Sequence, residues 1–199
     1  MKKLNYFLGL GLLLGVMTLA GCSKDDEAPA AENEEEIITD VTLTFTPAGG
    51  GPAITAVAQD PDGQGPEDLK VVSNIALAAN TTYTLKLDLQ NSIAGESITE
   101  EVNEEAGEHM FFFGWTSGLF SNPTGDGNIG AGNRDNPVNY NDRDDAGFPL
   151  GLETTWTTGD AETGSFRVIL KHQPNIKTAT STSNDGESDI DITWDITIN

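Results

Sequence analysis

The chain has 199 residues, with 32 acidic against 10 basic side chains and a formal net charge of −22 at pH 7. That length suits one domain with a sizeable core. We expect no nucleic-acid partner, because such an acidic chain offers no basic patch to release counterions from phosphates. With a single cysteine, the chain can form no internal disulfide.

The N-terminal segment has the layout of a bacterial signal peptide. Lys2 and Lys3 precede an apolar run that ends at Ala20. This run is short for a spanning helix, which needs about 20 apolar residues. The run leads into Leu-Ala-Gly and then Cys22, which resembles the lipobox of bacterial lipoproteins. We therefore predict a signal peptide over residues 1–21 and a lipid anchor on Cys22, with membrane attachment through that lipid.

The residues after Cys22 form an acidic, proline-containing stretch without apolar periodicity. Like charges along such a stretch repel each other, so residues 22–37 are predicted to be the lipidated cysteine and a solvated tether. The run Ser23–Glu27 resembles the export signal that sends lipoproteins of the Bacteroidota to the outer face of the outer membrane. The outer membrane, at the cell surface, is therefore the predicted location. A tether that faces the periplasm is the alternative.

Residues 38–199 are predicted to be one β-sandwich domain. Apolar and polar side chains alternate with a period of two, which is typical of half-buried antiparallel strands, and Gly/Pro/Asp/Asn turns separate them. The fold class is all-β, an immunoglobulin-like antiparallel β-sandwich, with a closed barrel as the alternative. The clearest strands are predicted at 41–46, 83–90, 166–171 and 189–198, and weaker ones at 53–58, 70–77, 109–115 and 152–157.

One short helix is predicted at 98–107. Ser97 and Glu100 have the spacing of a capping box, and Ile98, Val102 and Ala106 form a narrow apolar seam. The strand that follows carries three consecutive phenylalanines at 111–113. We predict that this strand lies centrally in a sheet, because apolar rings point to both of its faces.

The two histidines are candidate ligands of a transition metal. If the helix continued by one turn, Glu101, Glu105 and His109 would share one face. His172 has the parity of the core-facing residues of its strand, so both histidines are placed at the same end of the sandwich. Carboxylate and imidazole ligands suit Zn²⁺. The alternative is two strand-end histidines bonded to the backbone, with Gly107 ending the helix early.

A second candidate cation site lies in the stretch 142–147. Asp142 and Asp144 alternate before Gly147, and Glu153 stands at the twelfth position, as in a calcium loop. Ala146 replaces one acidic ligand, and flanking helices are not predicted. Asp142 and Asp144 are thus candidate Ca²⁺ ligands in a looser loop, and hydrogen-bonded Asx turns are the alternative.

No motif for catalysis is present. The chain lacks a Gly-x-Ser-x-Gly elbow and a phosphate-binding loop, and its only cysteine is assigned to the lipid. The 32 acids are too many to single out a catalytic pair. We therefore expect a protein that is not an enzyme.

Four stretches of the mature chain carry a resemblance to a known family: Ile98–Phe113, Gly147–Gly159, Val168–Pro174 and Asp189–Ile198. The family consists of small Bacteroidota lipoproteins without a firmly assigned activity, and some members are labelled with a type 1 periplasmic-binding fold. That fold needs alternating strands and long helices, whereas this sequence predicts strands and one short helix. The resemblance implies a surface lipoprotein of the outer membrane.

The predicted function is therefore binding at the outer membrane. Zn²⁺ and Ca²⁺ are the candidate cofactors, and an outer-membrane transporter is the candidate partner, to which the protein would hand metal or other cargo. The alternative is a structural or adhesive surface module without a small ligand.

Overall fold

A computed structural model describes residues 36–63, 68–130 and 138–199. The predicted signal peptide, Cys22 and most of the predicted tether lie outside these ranges. Among the described residues, no helix is long and apolar enough to cross a membrane. The elements, in chain order, are β1 (Asp40–Pro47), β2 (Ile54–Gln59), β3 (Lys70–Val71), β4 (Ile75–Leu77), β5 (Thr82–Asn91), β6 (Glu96–Ser97), α1 (Ile98–Glu104), β7 (His109–Trp115), β8 (Phe120–Asn122), β9 (Asn139–Tyr140), β10 (Glu153–Thr158), β11 (Glu162–His172) and β12 (Glu187–Ile198).

The described strands form two sheets. The larger sheet has the order β3-β2-β1-β5-β10-β8, with β6 paired to β5 and β9 paired to β10. The smaller sheet has the order β4-β12-β11-β7. Strand neighbours are antiparallel, except that β4 runs parallel to β12. The predicted all-β sandwich with one short helix is confirmed.

The core lies between the sheets and is rich in aromatic rings. Phe113 and Phe166 of the smaller sheet are fully buried, as is Trp156 of the larger sheet. The ring centroid of Trp156 lies 5.1 Å from that of Phe166 and 4.9 Å from that of Trp115, with edge-to-face geometry in both pairs. Such pairs stabilise a core beyond the area they bury. These ring contacts pack β7 and β11 of the smaller sheet against β10 of the larger sheet.

Strand β7 is covered on both faces, as predicted, but it lies at the edge of its sheet rather than at the centre. On its outer face, Met110 and Phe112 are buried beneath Ile129, in the loop that follows β8, and Tyr140 of β9. The same loop bonds the main chain of β7, since the Asn128 N–H donates to the Phe113 carbonyl at 2.9 Å. The loop thus takes the place of the neighbouring strand.

The predicted strand at 70–77 is wrong as a single element. Residues Lys70–Val71 form β3 in the larger sheet, and Ile75–Leu77 form β4 in the smaller one. Between them, the Ser73 hydroxyl accepts a hydrogen bond from the Val57 N–H at 2.9 Å. This contact holds the chain where it crosses from one sheet to the other.

Candidate metal centre

The two histidines face each other across neighbouring strands. His109 begins β7, His172 ends β11, and the two are direct partners in the antiparallel register. They continue the inward-facing row of Phe111 and Leu170, so both side chains turn toward the interior at one end of the sandwich. The ring centroids lie 4.4 Å apart, with 13° between the ring planes. The prediction that the histidines meet is confirmed.

Carboxylates surround this histidine pair. An oxygen of Glu36 lies 3.0 Å from Nε2 of His109, and Oδ2 of Asp189 lies 3.9 Å from the same nitrogen. Nε2 of His172 lies 3.5 Å from an oxygen of Glu108. The side chains of Glu36 and Asp189 are only 8% and 4% exposed, so water screens little of their charge. This end of the core is therefore strongly negative.

The hydrogen bond at the far side of the His109 ring fixes which nitrogen faces the carboxylates. Nδ1 lies 3.3 Å from the carbonyl oxygen of Glu105. A carbonyl only accepts, so Nδ1 carries a hydrogen, and the neutral ring has its lone pair on Nε2. A lone pair 3.0 Å from the Glu36 oxygen is repelled unless a proton or a metal ion lies between them. The geometry is that of a site for a cation.

The pKa of His109 reflects the negative charge of the surrounding carboxylates. Burial by itself lowers the pKa of this imidazole, because it disfavours the charged form. The hydrogen bond and charge of Glu36, the charge of Asp189 and the Glu105 carbonyl outweigh burial, and the pKa is raised above its ordinary value. The surroundings of His109 thus stabilise positive charge despite the low polarity of the core.

Glu36, His109 and His172 together form a candidate site for a metal ion, called the cation site below. Each offers one ligand atom, and these three atoms lie within 4.8 Å of one another. Two of the polar atoms here, Oε2 of Glu36 and Nε2 of His172, are buried without a hydrogen-bond partner among the described residues. Each imidazole lone pair lies in its ring plane, so one ion can bind both rings only if at least one of them tilts out of the stack.

The chain was also compared with protein-family models, curated proteins and solved structures, and none of them matches it.

The ligand types at the cation site separate the candidate ions. Imidazole nitrogen suits Zn²⁺ and its neighbours in the first transition row, whereas Ca²⁺ takes oxygen ligands. The cation site therefore favours a transition metal.

The predicted ligands Glu101 and Glu105 lie outside this cluster. The helix ends at Glu104, so Glu101, Glu105 and His109 do not share a helical face as the prediction required. Both side chains are exposed. Glu105 contributes its backbone carbonyl to His109, and burial together with nearby acids, Glu36 among them, raises the pKa of Glu101.

Glu36 is the ligand that sequence reasoning missed. It falls within the stretch predicted as a solvated tether, and its acidic neighbours make it look like one more tether residue. The signal that favours burial is the apolar pair directly after it, Ile37 and Ile38, of which Ile38 is 6% exposed and belongs to the main core. A carboxylate next to a core residue can be drawn inward with it.

In the predicted calcium loop, the Asp142 carboxylate is bonded to backbone amides. Its two oxygens accept hydrogen bonds from the N–H groups of Gly151 at 2.8 Å and Glu153 at 3.0 Å. Burial raises the pKa of Asp142, although these N–H groups oppose the rise. The carboxylate closes the loop onto the start of β10 through amides nine and eleven residues on, a longer span than that of an Asx turn.

The other predicted calcium ligand, Asp144, pairs with a lysine. Oδ2 lies 2.8 Å from Nζ of Lys177, and Oδ1 accepts the Phe148 N–H at 2.7 Å. Both charged side chains are almost fully buried, and Nζ of Lys177 also donates to the Ala106 carbonyl at 2.6 Å. An ammonium group thus stands beside Asp144, where a metal cation would have to bind. Calcium binding here stays a prediction that this geometry does not favour.

Proposed function

We propose that this protein binds a divalent transition metal ion, with Zn²⁺ as the first candidate, through Glu36, His109 and His172. The observation that carries the proposal is the meeting of the three ligand atoms within 4.8 Å in the interior. A buried carboxylate that faces an imidazole lone pair needs a proton or a metal ion between them, and a divalent ion can bind all three ligand atoms at once. Zn²⁺ accepts both ligand types and sits about 2.0 to 2.2 Å from each ligand atom.

We further propose that the site binds metal rather than catalysing a reaction. Catalytic zinc keeps one coordination position open for water and substrate, whereas structural zinc is closed by four protein ligands. Here the side chains of His109, His172 and Glu36 are 0%, 8% and 8% exposed, which leaves little access. Asp189, 3.9 Å from His109, is placed to serve as the fourth ligand.

The proposed location rests on the sequence pattern before the domain. We propose that Cys22 carries a lipid that anchors the protein in the outer membrane, on the cell surface, where an outer-membrane transporter is the candidate partner. The lipobox-like residues and the resemblance to Bacteroidota lipoproteins support this.

Two experiments test the location. Cys22→Ala should move the protein from the membrane fraction to the soluble fraction. Protease treatment of intact cells should degrade the wild-type protein only if it faces outward.

The metal proposal is tested by native mass spectrometry. Protein from cells that express the full chain is stripped with a chelator, incubated with ZnCl₂ or CaCl₂, and desalted. We expect one retained Zn²⁺ per chain in the wild type. In His172→Ala, affinity should fall by more than the roughly 10- to 100-fold that loss of a supporting group costs. Glu105→Gln, which changes an exposed side chain near the site, is the matched control and should bind like the wild type.

Two results would contradict this assignment. Retention of no metal by the wild type would reject it and leave the structural or adhesive surface module. Retention of Ca²⁺ that survives His172→Ala but not Asp142→Asn would place the ion in the loop at 142–147.

A further inference from the structure

The residues before β1 form a short arm, Glu36–Thr39, that attaches to the domain in two different ways. Its C-terminal half is held by backbone hydrogen bonds. The Thr39 N–H donates to the Gln90 carbonyl at 2.9 Å, and the Thr39 carbonyl accepts from the Asp60 N–H at 2.8 Å. The Ile38 side chain is buried in the core. These contacts do not depend on any cation.

The other end of the arm is held by a charged side chain. Glu36 reaches His109 with its carboxylate, at 3.0 Å from Nε2. The arm leads into β1 of the larger sheet, whereas His109 begins β7 of the smaller sheet. The Glu36 carboxylate therefore joins the N-terminal side of the domain to the opposite sheet.

The contact between Glu36 and His109 lies beside a second buried carboxylate, which repels Glu36. The Asp189 carboxylate, whose side chain is only 4% exposed, lies 3.9 Å from the same His109 nitrogen that Glu36 approaches. Buried like charges repel strongly because little water screens them. The position of Glu36 thus depends on positive charge at the histidines, and a divalent ion supplies more of it than one proton does.

We propose that the bound metal ion fastens the arm: with the ion in place Glu36 is held against His109 and His172, and without it the Glu36 end of the arm, ahead of the buried Ile38, detaches from the smaller sheet. This inference rests on the proposed metal binding and adds a function to it. Metal occupancy then sets how firmly the N-terminal side of the chain is held to the sandwich.

Hydrogen exchange followed by mass spectrometry tests the fastening on the full chain, with Zn²⁺ and with chelator. Exchange at the amides of residues 36–38 should be at least about tenfold slower with Zn²⁺, because a local opening governs it. Amides in the centre of β5 should exchange equally under both conditions. In Glu36→Gln, which keeps the shape of the side chain and removes its charge, the Zn²⁺-dependent difference should disappear. Glu105→Gln should keep it.

The metal content of the same samples separates the two proposals. If the ion is retained and exchange at residues 36–38 does not change, the fastening is overturned while metal binding stands. If Zn²⁺ is not retained at all, metal binding fails, and the fastening fails with it. Exchange that slows equally in Glu36→Gln would also overturn the fastening, since the carboxylate would then not be its cause.

Discussion

At the scale of single residues, the pair of Asp144 and Lys177 shows how a buried charge is kept ionised. Burial alone would raise the pKa of Asp144, but the hydrogen bond and charge of Lys177 and the Phe148 N–H lower it below its ordinary value. A carboxylate whose pKa is lower in the folded state stabilises the fold above its unfolded pKa, about 3.9 for aspartate. That stabilisation disappears as the pH falls through the folded-state value.

The first prediction follows from this sign. Lys177→Met should lower the free energy of unfolding at pH 7 by about 3 to 5 kcal/mol, because it leaves the Asp144 charge buried without its partner. Asp144→Asn should be destabilising at pH 7. Its deficit should begin to shrink below about pH 4, where this aspartate is protonated in the unfolded chain, and should disappear as the pH falls through the lower folded-state pKa. Urea unfolding between pH 3 and pH 7 measures both effects.

Asp195→Asn is the control for that series, because Asp195 is an exposed acid on β12. It should change stability by less than about 0.5 kcal/mol at neutral pH. An Asp144→Asn deficit that stays constant across the whole pH range would show that the Asp144 charge does not contribute.

At the scale of elements, α1 is fixed by a small apolar contact rather than by its length. A helix of 7 residues has little stability of its own, so packing must hold it. Ile98 and Val102 are its buried residues, and Val102 is fully enclosed in the main core. This contact also fixes the turn that delivers the Glu105 carbonyl to His109.

Val102→Ala should therefore lower the free energy of unfolding by about 1 to 3 kcal/mol, through lost burial and a residual cavity. The neighbouring Asn103→Ala, on the exposed side of α1, is the matched control and should have little effect. Chemical denaturation followed by tryptophan fluorescence compares the two. Equal losses in both variants would contradict this, because both substitutions raise helix propensity and only Val102→Ala removes a buried side chain.

The sequence predicted most of the sheet architecture because alternation is local information. Strand β7 was predicted with the bounds it has, and the inward row of β11 through His172 follows from parity alone. That parity is also why the meeting of His109 and His172 was foreseeable. One side of each strand must face the core, and both residues stand at the same end of paired strands.

What the sequence did not predict depends on contacts between distant segments. Whether β7 lies at the centre or the edge is decided by a loop that bonds its main chain through Asn128. The burial of Glu36 is decided by His109 in the other sheet. A local pattern cannot show either, because an acid beside other acids looks solvated until the fold brings a counter-charge to it.

At the scale of the whole molecule, the excess of acidic groups works against the folded state. The formal charge of the chain is −22, and most of its acidic groups lie in the domain, where folding holds them closer together than in the unfolded chain, so unfolding relieves repulsion. Salt screens this repulsion, since the Debye length falls from about 30 Å at 0.01 M to about 8 Å at 0.15 M.

We therefore expect the midpoint of thermal unfolding to rise by several degrees, about 1 kcal/mol in stability, between 0.01 M and 0.15 M NaCl in the presence of a chelator. Choline chloride at the same ionic strengths should act similarly, which separates screening from binding of sodium. A midpoint that falls with salt would show that attractive ion pairs outweigh the net repulsion.

The turn between β1 and β2 has a consequence for how the domain presents itself. Strand β1 begins beside the arm and spans 8 residues, so at roughly 3.3 Å per residue the turn lies about 25 Å from the arm. Residues 48–51 are exposed, and a side chain added at Gly49 meets no atom within 4 Å. An epitope inserted there should be tolerated. When the molecule is held by its N-terminal side, an antibody would find that epitope at the far end, clear of the cation site.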